Sequence, residues 1–169
     1  MYTIRKARTE DAPLLAAAER VIARVPAMLA KRPEEIDDAA FVATITQLNG
    51  HGQGNYLVAE EAGTVVGHAF LEPLPLAVTG HLARLSIAVH EGHQGRGVGR
   101  ALMNELIAWA RSDPRVEKIE LHVRSSNHRA IALYRSLGFV EEGRKTRRLK
   151  IAPGQYVDDL FMALWVGPS

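Results

Sequence analysis

The 169-residue chain contains no cysteine, which removes disulfides, thiolate metal sites and thiol nucleophiles from consideration. No run of roughly 18 apolar residues occurs, so no membrane-spanning helix is expected. The opening segment MYTIRKARTEDAP lacks the apolar core of a secretory leader, and a soluble, cytoplasmic protein is expected. Neither charge dominates: 21 Lys and Arg stand against 19 Asp and Glu, a net +2, which implies no polyanionic partner. No internal repeat, low-complexity tract or linker interrupts the chain. What remains is 47% hydrophobic and 24% charged, in a length suited to one domain over residues 1–169.

The pattern of apolar residues predicts alternating strands and helices. YTIRKAR (2–8) alternates as a strand, and Thr9 offers an N-cap for a helix running to about Arg24, before Pro26. Pro33-Glu34-Glu35 is read as opening a second helix that ends near the glycines of residues 48–54. Residues 55–72 read as a β-hairpin around Ala62-Gly63, followed by a proline-containing loop and a strand over 81–89. VEKIELHVR (116–124) alternates as another strand, and NHRAIALYRSLGF (127–139) as a helix capped by Asn127 and stopped by Gly138. Two closing strands near 140–150 and 156–166 flank Pro153-Gly154. The expected class is α/β, with a mixed central sheet of six to seven strands flanked by about four helices.

The segment HQGRGVGRALMNELIAWA (93–110) joins a strand to a helix whose apolar positions Val98, Leu102, Leu106 and Trp109 recur at helical spacing. Strand, glycine loop and helix N-terminus together present converging backbone N–H groups and a partial positive charge, the chemistry of a phosphate site. Gly95, Gly97 and Gly99 remove Cβ atoms that would hold such a ligand away. A P-loop would need Lys and Ser or Thr after the last glycine, where Arg100 and Ala101 stand. A dinucleotide fingerprint would need glycine at Arg100, or a small residue at Leu102, and a βαβ unit where a hairpin precedes the loop.

With those two readings removed, LSIAVHEGHQGRGVGRALM resembles the coenzyme-A-binding segment of the GNAT superfamily of N-acetyltransferases. That family's Gln/Arg-x-x-Gly-x-Gly/Ala loop stands here as Gln94-Gly95-Arg96-Gly97-Val98-Gly99. A second family segment, Asn-x-x-Ala-x-x-x-Tyr-x-x-x-Gly-Phe, stands as Asn127, Ala130, Tyr134, Gly138 and Phe139. The resemblance implies a GNAT fold and acetyl-CoA as co-substrate, with no metal. It implies that the backbone of Ile87, Ala88 and Val89 pairs with the pantetheine arm as an added strand would. The N–H groups from Gly95 to Arg100 would hold the pyrophosphate, with Arg96 and Arg100 adding charge, and Asn127 would contact the pantetheine or order the loop beside it.

The implied reaction is direct attack of an amine on the thioester. Free amines are protonated at neutral pH, with values of about 8 for an α-amino group and about 10 for lysine, so a proton acceptor is needed as well as a donor for the thiolate. The resemblance puts Tyr134 near the sulfur as the acid. The ribosomal-protein N-terminal acetyltransferase branch carries a catalytic Glu where His122 stands here, so His122 is the sequence's candidate base, with Glu72 and water relays as alternatives.

The remaining histidines show no metal spacing backed by carboxylates. The basic run RKTRRLK (144–150) has no interleaved aromatic and alternates as a solvated strand, so nucleic acid is not an expected partner. The segment PGQYVDDLFMALWV (153–166) is similar to the end of a branch of small-molecule and amino-acid acetyltransferases. The expected acceptor is therefore a small amine or amino acid. A protein N-terminus and a non-catalytic acyl-CoA sensor are the competing readings, and family habit adds a homodimer.

Overall fold

The computed structural model describes residues 1–168 and resolves the alternating segments into one seven-stranded sheet of order β1-β2-β3-β4-β5-β7-β6. The strands are β1 (Thr3–Lys6), β2 (Asn55–Glu61), β3 (Thr64–Pro73), β4 (Leu82–Val89), β5 (Lys118–Arg124), β6 (Val140–Ala152) and β7 (Gln155–Trp165). The helices are α1 (Ala12–Ile22), α2 (Asp38–Ile45), α3 (Val98–Ser112) and α4 (His128–Ser136). The β2–β3 hairpin turns through Ala62 and Gly63, with φ of +50° and +79°; two successive positive φ values suit a tight hairpin turn. None of the helices is long and apolar enough to cross a membrane.

Alternation along the strands sends side chains to two separate cores. On one face α3 buries Leu102, Met103, Leu106 and Ala110 completely, against Ala69 and Leu71 of β3 and Ile119 and Leu121 of β5. Removing a leucine side chain from such a site costs about 2–5 kcal/mol. Gly67 lets α3 approach, because a Cβ there would lie 2.9 Å from Val98 Cγ1. On the other face Leu15 and Ala16 of α1 and Phe41 and Ile45 of α2 pack on Tyr56 and Val58 of β2.

The one parallel pairing decides where a ligand can enter. β4 and β5 pair only at Leu82↔Lys118, Ala83↔Ile119 and Arg84↔Glu120, although β4 runs on to Val89 and β5 to Arg124. Beyond Arg84 the two strands part, while β4 stays paired with β3 as far as Val89. The sheet is therefore split, and one edge of β4 over residues 85–89 has no neighbouring strand.

Two boundaries differ from the sequence reading. Pro33–Glu35 makes a single 3-10 turn, and Ile36 then turns extended and buries in the core. Asp37 begins α2 instead, accepting from the Ala39 N–H at 3.1 Å, since an aspartate caps better than a proline turn continues. At α1, Thr9 caps nothing. Asp11 accepts from the Arg8 N–H at 2.8 Å and pairs with Arg5, and the helix starts at Ala12.

Candidate active site

The split in the sheet connects two cavities. One, of about 780 Å³, is walled by Ile87, Ala88 and Val89 of β4, by the glycine loop and by Val21 and Ile22 at the end of α1. The other, of about 710 Å³, lies on the α1–α2 side and is reached by Glu19, Tyr56, Glu72, Arg84 and His122. Met28, Leu29, Ile87, Asn127 and Tyr134 line both, so these five residues stand where the cavities meet.

The glycine loop is built for an anion. Gly95 and Gly97 take φ of +74° and +91°, values that side chains with a Cβ rarely adopt. The left-handed Gly97 starts α3, and its carbonyl takes the first helical hydrogen bond, from Ala101. No protein acceptor takes the N–H groups of residues 95–100 among the described residues. Gly99 lines the same cavity and serves a second end as well. A Cβ there would sit 3.2 Å from Leu133 and 3.6 Å from Val89, so this glycine lets α3 pack against α4 and β4.

The other expected binding residues divide. Gln94 folds back to donate to the Val89 carbonyl at 3.1 Å and lines the cavity, as does Arg100, whose guanidinium donates to Ser136 Oγ. Arg96 turns away, toward Glu61 at 3.5 Å, while its carbonyl accepts from Tyr2. Val98 is buried against Gly67. Arg129 of α4, which the sequence reading did not single out, brings its guanidinium to within 3.7 Å of where a Cβ on Gly95 would stand. Asn127 caps α4, accepting from the Ala130 N–H at 3.2 Å, and leaves its amide nitrogen free.

Tyr134 lies on the buried stripe of α4, with its ring 5.9 Å from that of Phe139. Among the described residues no hydrogen bond is recorded for its hydroxyl, and burial pushes it up to about 12. His122 is on the α1–α2 side, half-exposed, stacked on Phe161 at 4.1 Å and 3.9 Å from Asp159. Partial burial lowers its basicity, and Arg124, Arg84 and Lys145 act in the same direction against Asp159. Glu72 sits opposite Arg84 in the β3–β4 ladder, and one of its oxygens takes both the Nε and Nη2 of that arginine.

A buried group absent from the sequence reading reaches the same cavity through Glu19. Glu19 Oε1 is 3.0 Å from His68 Nε2, His68 Nδ1 is 3.2 Å from His90 Nε2, and His90 Nδ1 is 3.1 Å from the Val65 carbonyl. The signal was present in α1. Ala12, Leu15, Ala16 and Ile22 form its buried stripe, and Glu19 falls on that stripe three residues before Ile22.

Comparison with known proteins agrees with this geometry. A family model described as the acetyltransferase (GNAT) family matches residues 22–139, and the chain belongs to that family. The N-alpha-acetyltransferase RimI of Mycobacterium tuberculosis is 34% identical over 68% of this chain and 67% of its own length. The L-amino acid N-acetyltransferase AaaT of Escherichia coli is 37% identical over 63% of this chain, which spans 65% of that relative. The yncA protein of Salmonella typhimurium, solved with its cofactor acetyl-CoA, superposes with a TM-score of 0.89 at 26% identity, covering 99% of this chain and 95% of that one.

Proposed function

We propose that this domain transfers an acetyl group from acetyl-CoA to the amine of a small molecule, with a free amino acid as the preferred acceptor. The observation that carries the reading is the meeting of the two cavities, where Ile87, Asn127 and Tyr134 stand with Met28 and Leu29. On one side are the unpaired N–H groups of residues 95–100, suited to a pyrophosphate, and the open edge of β4 at Ile87, Ala88 and Val89, suited to a pantetheine amide chain. On the other is a cavity with apolar walls from Leu29, Phe41 and Phe70, the carboxylate of Glu19, and two cations, Lys31 and Arg148, that form no ion pair. An amino acid offers the matching set: an ammonium, a carboxylate and a side chain.

In this mechanism the amine nitrogen attacks the thioester carbonyl carbon, a C–N bond forms and the C–S bond breaks. A backbone N–H on the free edge of β4 supports the developing oxyanion. Tyr134 supplies the proton to the departing thiolate. Its phenol stays protonated through the working pH range, and the same burial raises the thiol it serves. The ammonium must first lose a proton; His122 and Glu72 face the acceptor cavity, and Glu19 does so with more behind it.

Thiol release from acetyl-CoA, measured against amino acids, polyamines, aminoglycosides and N-terminal peptides, tests the reading. Turnover with free amino acids supports it. Turnover confined to peptides replaces the acceptor with a protein N-terminus, and acetyl-CoA binding without thiol release replaces the enzyme with a sensor.

A further inference from the structure

We infer that Glu19, His68 and His90 form a proton relay that takes the ammonium proton of the acceptor, which makes Glu19 the base and the two histidines its positioning partners. The inference rests on the amine-acetylating reading above.

Proton counting within the chain of contacts carries it. Val65 offers a carbonyl, which only accepts, so His90 Nδ1 carries a hydrogen. The remaining contacts, His90 Nε2 to His68 Nδ1 and His68 Nε2 to Glu19 Oε1, each need one more. Three hydrogen bonds thus require three protons, and two neutral imidazoles supply two. With only two, one contact sets lone pair against lone pair. The chain therefore gains a hydrogen bond when it takes up a proton, and the three short distances describe the loaded form. Burial, with His68 beside it, pushes His90 down to about 4, so His90 is the ring that stays neutral.

Placement matches the task. His68 and His90 are shut off from solvent, and Glu19 is the member that lines the acceptor cavity. The chain is linear, with ring nitrogens aimed at one another, and among the described residues no group of three such side chains is arranged to hold a metal ion. The titratable groups facing it are Tyr56 from β2, whose fully buried hydroxyl has no protein partner and lines the same cavity, and His93 from the glycine loop. Asp11 acts on Tyr56 from beyond, and α2 presents only the ring of Phe41. The other two candidates are worse placed: Glu72 is held by Arg84, and His122 is lowered by partial burial, with three nearby cations acting in the same direction.

The step balances. The ammonium gives one proton to Glu19, leaving a neutral amine; that nitrogen attacks the thioester carbonyl carbon, and the C–S bond breaks as the adduct collapses. The thiolate takes one proton from Tyr134, the second nitrogen proton restores the Tyr134 phenol through solvent, and the relay returns its own proton to solvent, so one proton is released for each amide and thiol formed.

The experiment compares wild type with Glu19→Gln, His68→Gln and His122→Ala, using acetyl-CoA and L-methionine from pH 6 to 10. Glu19→Gln is expected to lower kcat/KM about a hundredfold at pH 7 with acetyl-CoA binding unchanged. That deficit should shrink toward pH 10, where the amine deprotonates by itself, since a free amine titrates at about 8–10. His68→Gln should lose less, with the same recovery at high pH. A merely structural role would lower activity equally at every pH, and that result overturns the relay, as does a pH-dependent loss in His122→Ala with Glu19→Gln unaffected. A second readout needs no acceptor: 15N spectra of the histidine ring nitrogens should show one proton taken up by the His68–His90 pair in wild type and none in Glu19→Gln. Spectra alike in both overturn the relay. Normal wild-type spectra without thiol release overturn the functional reading instead.

Discussion

Arg124 and Asp159 face each other across β5 and β7 and join at 2.8 Å, with both side chains largely buried. Arg124 Nε has no partner of its own, so its guanidinium depends on that carboxylate. The other Asp159 oxygen lies 3.9 Å from His122 Nδ1 and is the one group that favours the charged imidazole there. Asp159→Asn should therefore cost roughly 3–5 kcal/mol in urea unfolding, because it strands a buried charge. It should also move the His122 titration further below its already lowered position, which proton NMR reads directly. A stable variant with an unmoved His122 would refute both halves.

Tyr134→Phe separates packing from chemistry. The ring keeps its place beside Phe139, and among the described residues the lost hydroxyl has no hydrogen-bond partner to strand. Unfolding free energy should change by less than about 1 kcal/mol, since no buried partner is left unsatisfied. Turnover should fall at least about tenfold while the Kd for acetyl-CoA holds, as expected for a lost general acid. Calorimetry and steady-state kinetics check the pair of outcomes, and unchanged turnover removes Tyr134 from the mechanism.

The donor half of the site was legible because its chemistry is local. The Gln94–Gly99 loop and the Asn127–Phe139 segment each carry their signal within a few residues. The acceptor half was not, because its parts come from α1, the β3 interior and the end of β4 and meet only through the sheet. Glu19, His68 and His90 span 71 positions of sequence, and each alone reads as an ordinary helix or strand residue. Boundaries failed where two caps competed: Asp37 displaced Pro33, and Asp11 displaced Thr9. The three glycines line one cavity but differ in packing: Gly95 and Gly97 take positive φ, while Gly99 also admits α4.

That division predicts different failures for two similar substitutions. Gly97→Ala forces a side chain into φ of +91° and should cost about 1–2 kcal/mol of stability, with weakened acetyl-CoA binding. Gly99→Ala meets Leu133, a flexible neighbour at 3.2 Å, so stability should fall less. Leu133 also walls the donor cavity, so its displacement should raise the acetyl-CoA Kd several-fold. Thermal unfolding beside isothermal titration distinguishes the two, and equal stability losses would contradict the separate roles.

His90 makes stability depend on acid in a defined window. Its folded value of about 4 lies below the ordinary 6.5, chiefly because the ring is buried. Between those values the unfolded chain binds a proton at this ring and the folded chain does not. The contribution is therefore complete above pH 6.5 and lost as the pH falls toward 4, by a total on the order of 3 kcal/mol. His90→Gln removes the titration, so the variant should be less stable than wild type at pH 7 and approach it near pH 4. Urea unfolding of both proteins at half-unit steps gives the difference curve, and a curve flat across the window would mean that the ring titrates alike in the two states.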